Sequence, residues 1–392
     1  MAFNRILEVS TVALFALNPL IAFLLCTYPE WIGVIYLKDF FVFVLLASTA
    51  IGLFSSKPLY FLLGGLLPLT LYLAVGLVVS NATFSARLAG VRQMLYPFVF
   101  LAFGYGASVR GYTVNQFNQL VERLVISITL IGFVLFLLPD SWFAFTQVYA
   151  EMKGGIMHRT GVPSQWVEPI MGDIPRMVSV VFDPINLGHM LVFGLFYLYF
   201  TTSLSRWKIG VMAIALLLTF CKGAILQAII LLWIFVPNRF IALRFRVFML
   251  LLLPVIVYIG TFFHPGIKMH QMGLENALIS LSVFGYGGGK TGNIAAMFGT
   301  HFHPQIFDTY LGAVIGQIGV IGTAGWLYAW WYFLRKVLKQ NSYLFWIIIA
   351  QLIVSVYSEN AFNLLSIVLP MMALGLHLNP NNQKSHEFLS HN

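Results

Sequence analysis

Residues 209–236 read IGVMAIALLLTFCKGAILQAIILLWIFV. A helix needs about 20 apolar residues to cross the roughly 30 Å hydrocarbon layer of a bilayer, so this stretch is too long for one crossing and short for two. The polar step Cys221-Lys222-Gly223 divides it, which predicts a pair of short helices. Lipid would reject Lys222 at depth unless it faced protein or a watery cavity, and an ionisable group so placed is a functional candidate. Residues 344–377 repeat the pattern, with Ser358-Glu359-Asn360 at the break. Glu359 is the expected counter-ion for Lys222.

Outward from these pairs, further apolar runs fall near 10–26, 38–54, 59–79, 91–108, 118–138, 185–203, 247–263 and 309–333. Counting the pairs as 209–220 with 223–236 and 344–357 with 362–377, the sequence predicts an all-α polytopic transmembrane bundle of about 12 spans, one integral domain over 1–392. Composition agrees: 59% of residues are hydrophobic, 9% are charged and mean hydropathy is +0.87, more apolar surface than a soluble fold can hide. The run 10–26 carries no small-residue cleavage pattern and reads as a first span rather than a signal peptide.

Lys and Arg concentrate in cytoplasmic loops. Lys57, Arg110, the Arg206/Lys208 pair, the Arg239/Arg244/Arg246 cluster and Arg335/Lys336/Lys339 all fall on the side of Arg5 when spans are counted from a cytoplasmic N-terminus. Both termini and the polar tail 379–392 are then cytoplasmic, and the two long loops, about 139–184 and 264–308, are extracytoplasmic. The formal charge of +9 follows from topology and calls for no nucleic acid. Two cysteines, Cys26 and Cys221, support neither a disulfide framework nor a four-ligand zinc site, and no metal or cofactor is expected.

The first loop holds Lys153, His158, Arg159, Trp166, Glu168, Asp173 and Arg176, then Val181-Phe182-Asp183-Pro184. Arg176 offers a planar fork for a phosphate or carboxylate, against which stands pairing with Asp173 or lipid head groups. The second loop holds His264, Lys268, His270, Phe284-Gly285-Tyr286-Gly287-Gly288-Gly289-Lys290, His301, His303 and Asp308. A glycine run lets backbone amides approach a ligand and can form an anion-binding concavity, though flexible turns look alike. Arg87 and Arg92, near the outer end of the fourth run, face either a cavity or the interface.

Taken in order, these stretches resemble the O-antigen polymerase and O-antigen ligase superfamily, membrane glycosyltransferases that use polyprenyl-pyrophosphate-linked glycans. Cys221-Lys222-Gly223-Ala224 resembles the family's Ser-Arg-Gly element with Cys for Ser and Lys for Arg. Arg176 with Phe182-Asp183-Pro184 resembles the Arg to acidic-Pro element of exopolysaccharide polymerases. Phe284 to Gly289 is similar to the glycine-rich segment early in the second loop, and Asp308-Thr309-Tyr310-Leu311 leads into Gly319-Val320-Ile321-Gly322 with the family's spacing. The resemblance spans roughly residues 85–370. Ligases of the family carry a His-Asn pair where this chain has Asp308-Thr309, a departure that favours polymerase over ligase.

The resemblance implies a bacterial inner-membrane polymerase that joins polyprenyl-pyrophosphate-linked oligosaccharide repeats into O-antigen, capsular or exopolysaccharide on the periplasmic face. It needs no nucleotide sugar. Arg87, Arg92, Arg176 and Lys222 would stabilise the departing pyrophosphate. His303 or Asp308 would be the base that helps the attacking hydroxyl, with Asp183 as an orienting partner. Trp166, Tyr286 and Gly287 would contact the glycan. Implied partners are the lipid-linked oligosaccharide, membrane lipids, a chain-length regulator and a flippase. The alternatives are an O-antigen ligase and a transporter or flippase of lipid-linked glycans, which broken helices and intramembrane charges also suit.

Overall fold

The computed structural model describes residues 2–28, 30, 37–42, 44, 57–138, 163–168, 174–235, 265–293, 295, 299–300, 306 and 308–379. The fold is all-α. Helices α1 (Ala2–Thr27), α2 (Lys57–Val79), α3 (Phe84–Val109) and α4 (Val114–Leu137) precede a two-stranded hairpin, β1 (Val167–Glu168) and β2 (Ile174–Pro175). There follow α5 (Pro184–Thr201), α6 (Arg206–Leu218), α7 (Lys222–Phe235), α8 (Pro265–Ile279), α9 (Tyr310–Gln340), α10 (Ser342–Ser355) and α11 (Leu364–His377). The expected spans 38–54 and 247–263 and the tail fall largely or wholly outside the described residues.

Among the described residues five stretches are long and apolar enough to cross a membrane: Arg5–Leu25, Leu59–Val78, Val114–Leu137, Pro184–Thr201 and Tyr310–Gln340. On α2, Leu63, Leu67, Leu71, Val75 and Val78 are all exposed. Their spacing of three and four residues makes one apolar face, which suits lipid and not water. The predicted short pairs are present as α6 with α7 and α10 with α11, and both breaks are turns: residues 219–221, and a 3₁₀ turn at Glu359–Phe362.

The chain divides into two compact units that interleave along it. Unit 1 is Met1–Pro58, Val99–Ile225 and Leu365–Asn392; unit 2 is Leu59–Phe98 and Leu226–Leu364. A run of apolar helices announces burial but not which helices share a core.

In unit 1, Leu17, Ile21, Leu25, Trp166, Val178 and Phe182 form one buried cluster. Glycines bring helices close: a Cβ on Gly104 would sit 2.1 Å from the Met372 carbonyl oxygen, and one on Gly375 would sit 2.0 Å from that of Leu101. Such close approach of α3 and α11 suits an apolar solvent, where packing rather than water exclusion joins helices. Asp183 caps α5, accepting the N–H of Ile185 at 2.7 Å and of Asn186 at 3.2 Å, with Pro184 in the first turn where its missing N–H costs nothing.

In unit 2, Tyr310 stacks on Phe362 with centroids 4.6 Å apart, and Trp330 and Phe98 pack beside them. Helix α9 is interrupted at Gly319, whose φ is +63°. The glycine-rich segment fills the interruption. Tyr286 and Gly287 donate their N–H groups to the carbonyls of Gly316 and Gln317 at 2.9 and 3.0 Å, while Val320 and Ile321 donate to Ser282 and Val283 at 3.0 and 3.2 Å. The loop thus meets the backbone groups that a broken apolar helix would leave unsatisfied.

Candidate functional site

In unit 1 the hairpin closes on the α6–α7 break from both sides. Arg176 follows β2. Its Nε donates to the Thr219 carbonyl at 2.8 Å, one terminal nitrogen to that of Phe220 at 3.2 Å, and the other to that of Gln165 at 3.0 Å. Its backbone N–H donates to Trp166 at 2.7 Å, and that of Met177 to Leu218 at 2.9 Å. The guanidinium therefore grips two consecutive carbonyls at the end of α6, where orphan acceptors and the negative end of the helix dipole favour a cation. Phe220 is held at φ +47°, a left-handed conformation unusual for a bulky residue.

Beyond that turn Lys222 opens α7. Its ammonium lies 3.3 Å from a carboxylate oxygen of Glu168 on β1; the lysine side chain is 55% exposed and the glutamate 7%. This corrects the expected Lys222–Glu359 pair: the counter-ion comes from the hairpin, and Lys222 is an exposed cation rather than a deeply buried one. A lysine at the positive end of a helix dipole is unfavourable, and Glu168 offsets the repulsion. Cys221, between them, is buried, and burial pushes its thiol up to about 11 despite the Ala224 N–H and the nearby Arg176 charge.

Asp183 and Trp166 take structural places here. Asp183 binds the α5 N-terminus and the Asn186 side chain at 3.0 Å, and Asn186 in turn accepts from Ser366 at 2.8 Å. Trp166 is 1% exposed and stacks on Phe182 at 6.2 Å, so a sugar ring has no access to its face; the expected glycan contact is corrected to a core position.

Unit 2 holds a carboxylate site. Glu359, 4% exposed in the turn between α10 and α11, accepts the Gln93 side-chain N–H at 2.9 Å and the Asn293 backbone N–H on both oxygens at 3.0 and 2.8 Å. Burial raises its carboxyl to about 7; the Gln93 and Asn293 hydrogen bonds pull down and the charge of Asp308 pushes up. Asp308 is half-buried at φ +57°, and its carbonyl oxygen lies 2.8 Å from His270 Nδ1. Thr309 caps α9 and donates to the Val356 carbonyl at 2.7 Å, bringing Asp308 towards the Glu359 turn.

The remaining candidates separate. Arg87 donates to the Leu77 carbonyl at 2.7 Å, closing the end of α2, with its Nε buried and without a hydrogen-bond partner among the described residues. Arg92 lies over the Tyr96 ring at 5.6 Å. The amides of Tyr286, Gly287 and Gly289 are spent on Gly316, Gln317 and the Gln317 side chain, so these three amides serve packing rather than an anion. The Tyr286 hydroxyl donates to the Ser280 carbonyl, and a Cβ on Gly287 would sit 2.5 Å from Ser80. Lys153, His158, Arg159, Asp173, His264, His301 and His303 lie outside the described residues. Glu168, Gln93, Asn293 and His270 were not chosen from sequence. Nothing in their spacing marks them, since each gains meaning from a partner at least 38 residues away.

No family model matches this chain, and no curated protein matches it in sequence.

Proposed function

We propose that this chain is a membrane-embedded glycosyltransferase that polymerises polyprenyl-pyrophosphate-linked oligosaccharide repeats on the periplasmic face of a bacterial inner membrane, with about 12 spans and both termini cytoplasmic. The observation that carries the reading is the meeting of sequence elements far apart in the chain. The Arg176 element grips the turn of the Cys221-Lys222-Gly223 element in unit 1, and the glycine-rich element fills the break at Gly319 in unit 2. These are the four stretches on which the resemblance to the polymerase and ligase superfamily rests.

In the proposed reaction an acceptor sugar hydroxyl attacks the anomeric carbon of the growing chain. The new glycosidic bond forms as the bond to the carrier pyrophosphate breaks, and the electron pair leaves on the phosphate oxygen. Lys222, an exposed cation on a fixed turn, stabilises the charge on that oxygen. The resemblance assigns the hydroxyl proton to His303 or Asp308. Direct displacement inverts the anomeric carbon and needs no metal.

The test is purified protein in vesicles supplied with a polyprenyl-pyrophosphate-linked repeat. A ladder of longer lipid-linked glycans, lost in Lys222→Ala, is the expected result. Transfer of the glycan to lipid A core would favour the ligase, and movement of the intact unit across the bilayer without a ladder would overturn the reading in favour of a flippase.

A further inference from the structure

We propose that the β1–β2 strand pair and its flanks set both the aim and the strength of the Lys222 anion site: Arg176 is a positioning residue that reaches substrate only through the turn carrying Lys222, and Glu168 competes with the carrier pyrophosphate for the ammonium. This rests on the polymerase reading for the identity of the anion.

The geometry carries it. Three nitrogens of Arg176 are committed to the carbonyls of Thr219, Phe220 and Gln165, so the Nε–Nη2 edge of the fork, the edge that would grip a phosphate side-on, is occupied by the protein's own backbone. Two of those carbonyls belong to the residues that lead into Cys221-Lys222. The other arm of the same hairpin presents the buried Glu168 to a lysine whose side chain is 55% exposed. One short hairpin thus holds the backbone before Lys222 and the charge on its tip. A buried carboxylate beside an accessible ammonium weakens the field felt by an arriving anion while keeping the lysine in one place in its absence. Replacing Arg176 by lysine keeps the charge and loses the fork, which separates positioning from direct electrostatic contact.

The test measures binding of farnesyl pyrophosphate to the full chain in phosphatidylcholine nanodiscs, alongside ladder formation and thermal unfolding. Lys222→Ala is expected to raise Kd at least tenfold, and Arg176→Lys to raise it nearly as much as Arg176→Ala. The Arg176→Ala/Lys222→Ala double variant should bind within twofold of Lys222→Ala alone, because a positioning residue has nothing left to position. Should the Arg176 variants fail to fold, Glu168→Gln carries the test: it is expected to tighten binding threefold or more, and the gain should vanish beside Lys222→Ala. Multiplying losses in the double variant, near-normal binding by Arg176→Lys, no gain in Glu168→Gln, or no binding by the wild type would each overturn the proposal. Probe binding with this pattern but no ladder would defeat the polymerase reading and leave the hairpin's role standing; a ladder without the pattern would do the reverse.

Discussion

The Asn293 backbone N–H points at both oxygens of the Glu359 carboxylate, at 3.0 and 2.8 Å. With Gln93 on one of the same oxygens, the turn between α10 and α11 is tied to α3 and to the loop after the glycine run. Burial nevertheless dominates the carboxyl's titration and raises it from 4.5 to about 7. A carboxyl whose folded pKa lies above its unfolded value stabilises the fold fully below the unfolded value, and that stabilisation is lost as pH rises through the folded one. Thermal unfolding between pH 4.5 and 8 should therefore show the wild type losing stability with rising pH relative to Glu359→Gln. Parallel curves for the two proteins would contradict the assignment.

Asp183 tests how much of a motif is chemistry. Its oxygens cap α5 and hold Asn186, so Asp183→Asn, which keeps one oxygen for the backbone N–H groups and loses the Asn186 side-chain contact, should cost less than the alanine variant and retain chain growth. Asp183→Ala should cost about 1 kcal/mol, typical of a lost cap. Both are read by thermal unfolding in detergent beside the ladder assay. Loss of the ladder in a fully stable Asp183→Asn would give the residue a chemical role beyond the cap.

The glycine-rich segment makes a packing prediction. A Cβ on Gly319 would lie 2.3 Å from the Gly285 nitrogen, and one on Gly285 would lie 2.4 Å from the Gln317 carbonyl oxygen; both glycines have positive φ. Alanine at either should destabilise by more than about 2 kcal/mol, combining backbone strain with a clash that no side-chain rotation relieves. Gly76 in α2, where an added Cβ meets nothing within 4 Å, is the control and should tolerate alanine. Detergent-solubilised yield and unfolding temperature distinguish the two classes.

These sites show how far the sequence could be read. Apolar runs located most of the described helices, because burial in lipid leaves a long continuous signature, but not α8, which lies within the expected loop 264–308 and has no such run. The expected run 118–138 corresponds to Val114–Leu137, which starts earlier because Thr113 and Gln116 form a capping box that hydropathy does not register. The breaks at Lys222 and Glu359 were legible too, since charge inside an apolar run is costly. What sits opposite each break was not. Glu168 and Glu359 are equivalent on paper as partners for Lys222, and only the pairing of Val167 with Pro175 and Glu168 with Ile174 brings the former to it. The break in α9 was illegible for a related reason: Gly319 looks like any glycine in an apolar helix until the distant loop that fills the gap is in place.

The most direct measurement is the product balance of the purified protein in vesicles given only the lipid-linked repeat: the masses of the lipid-linked glycans, counted against free polyprenyl pyrophosphate. Chain transfer predicts glycans in whole multiples of the repeat, with one carrier pyrophosphate released for each new glycosidic bond and both lost together in Lys222→Ala. Carrier release without longer chains, or an unchanged repeat with no release, would contradict the account.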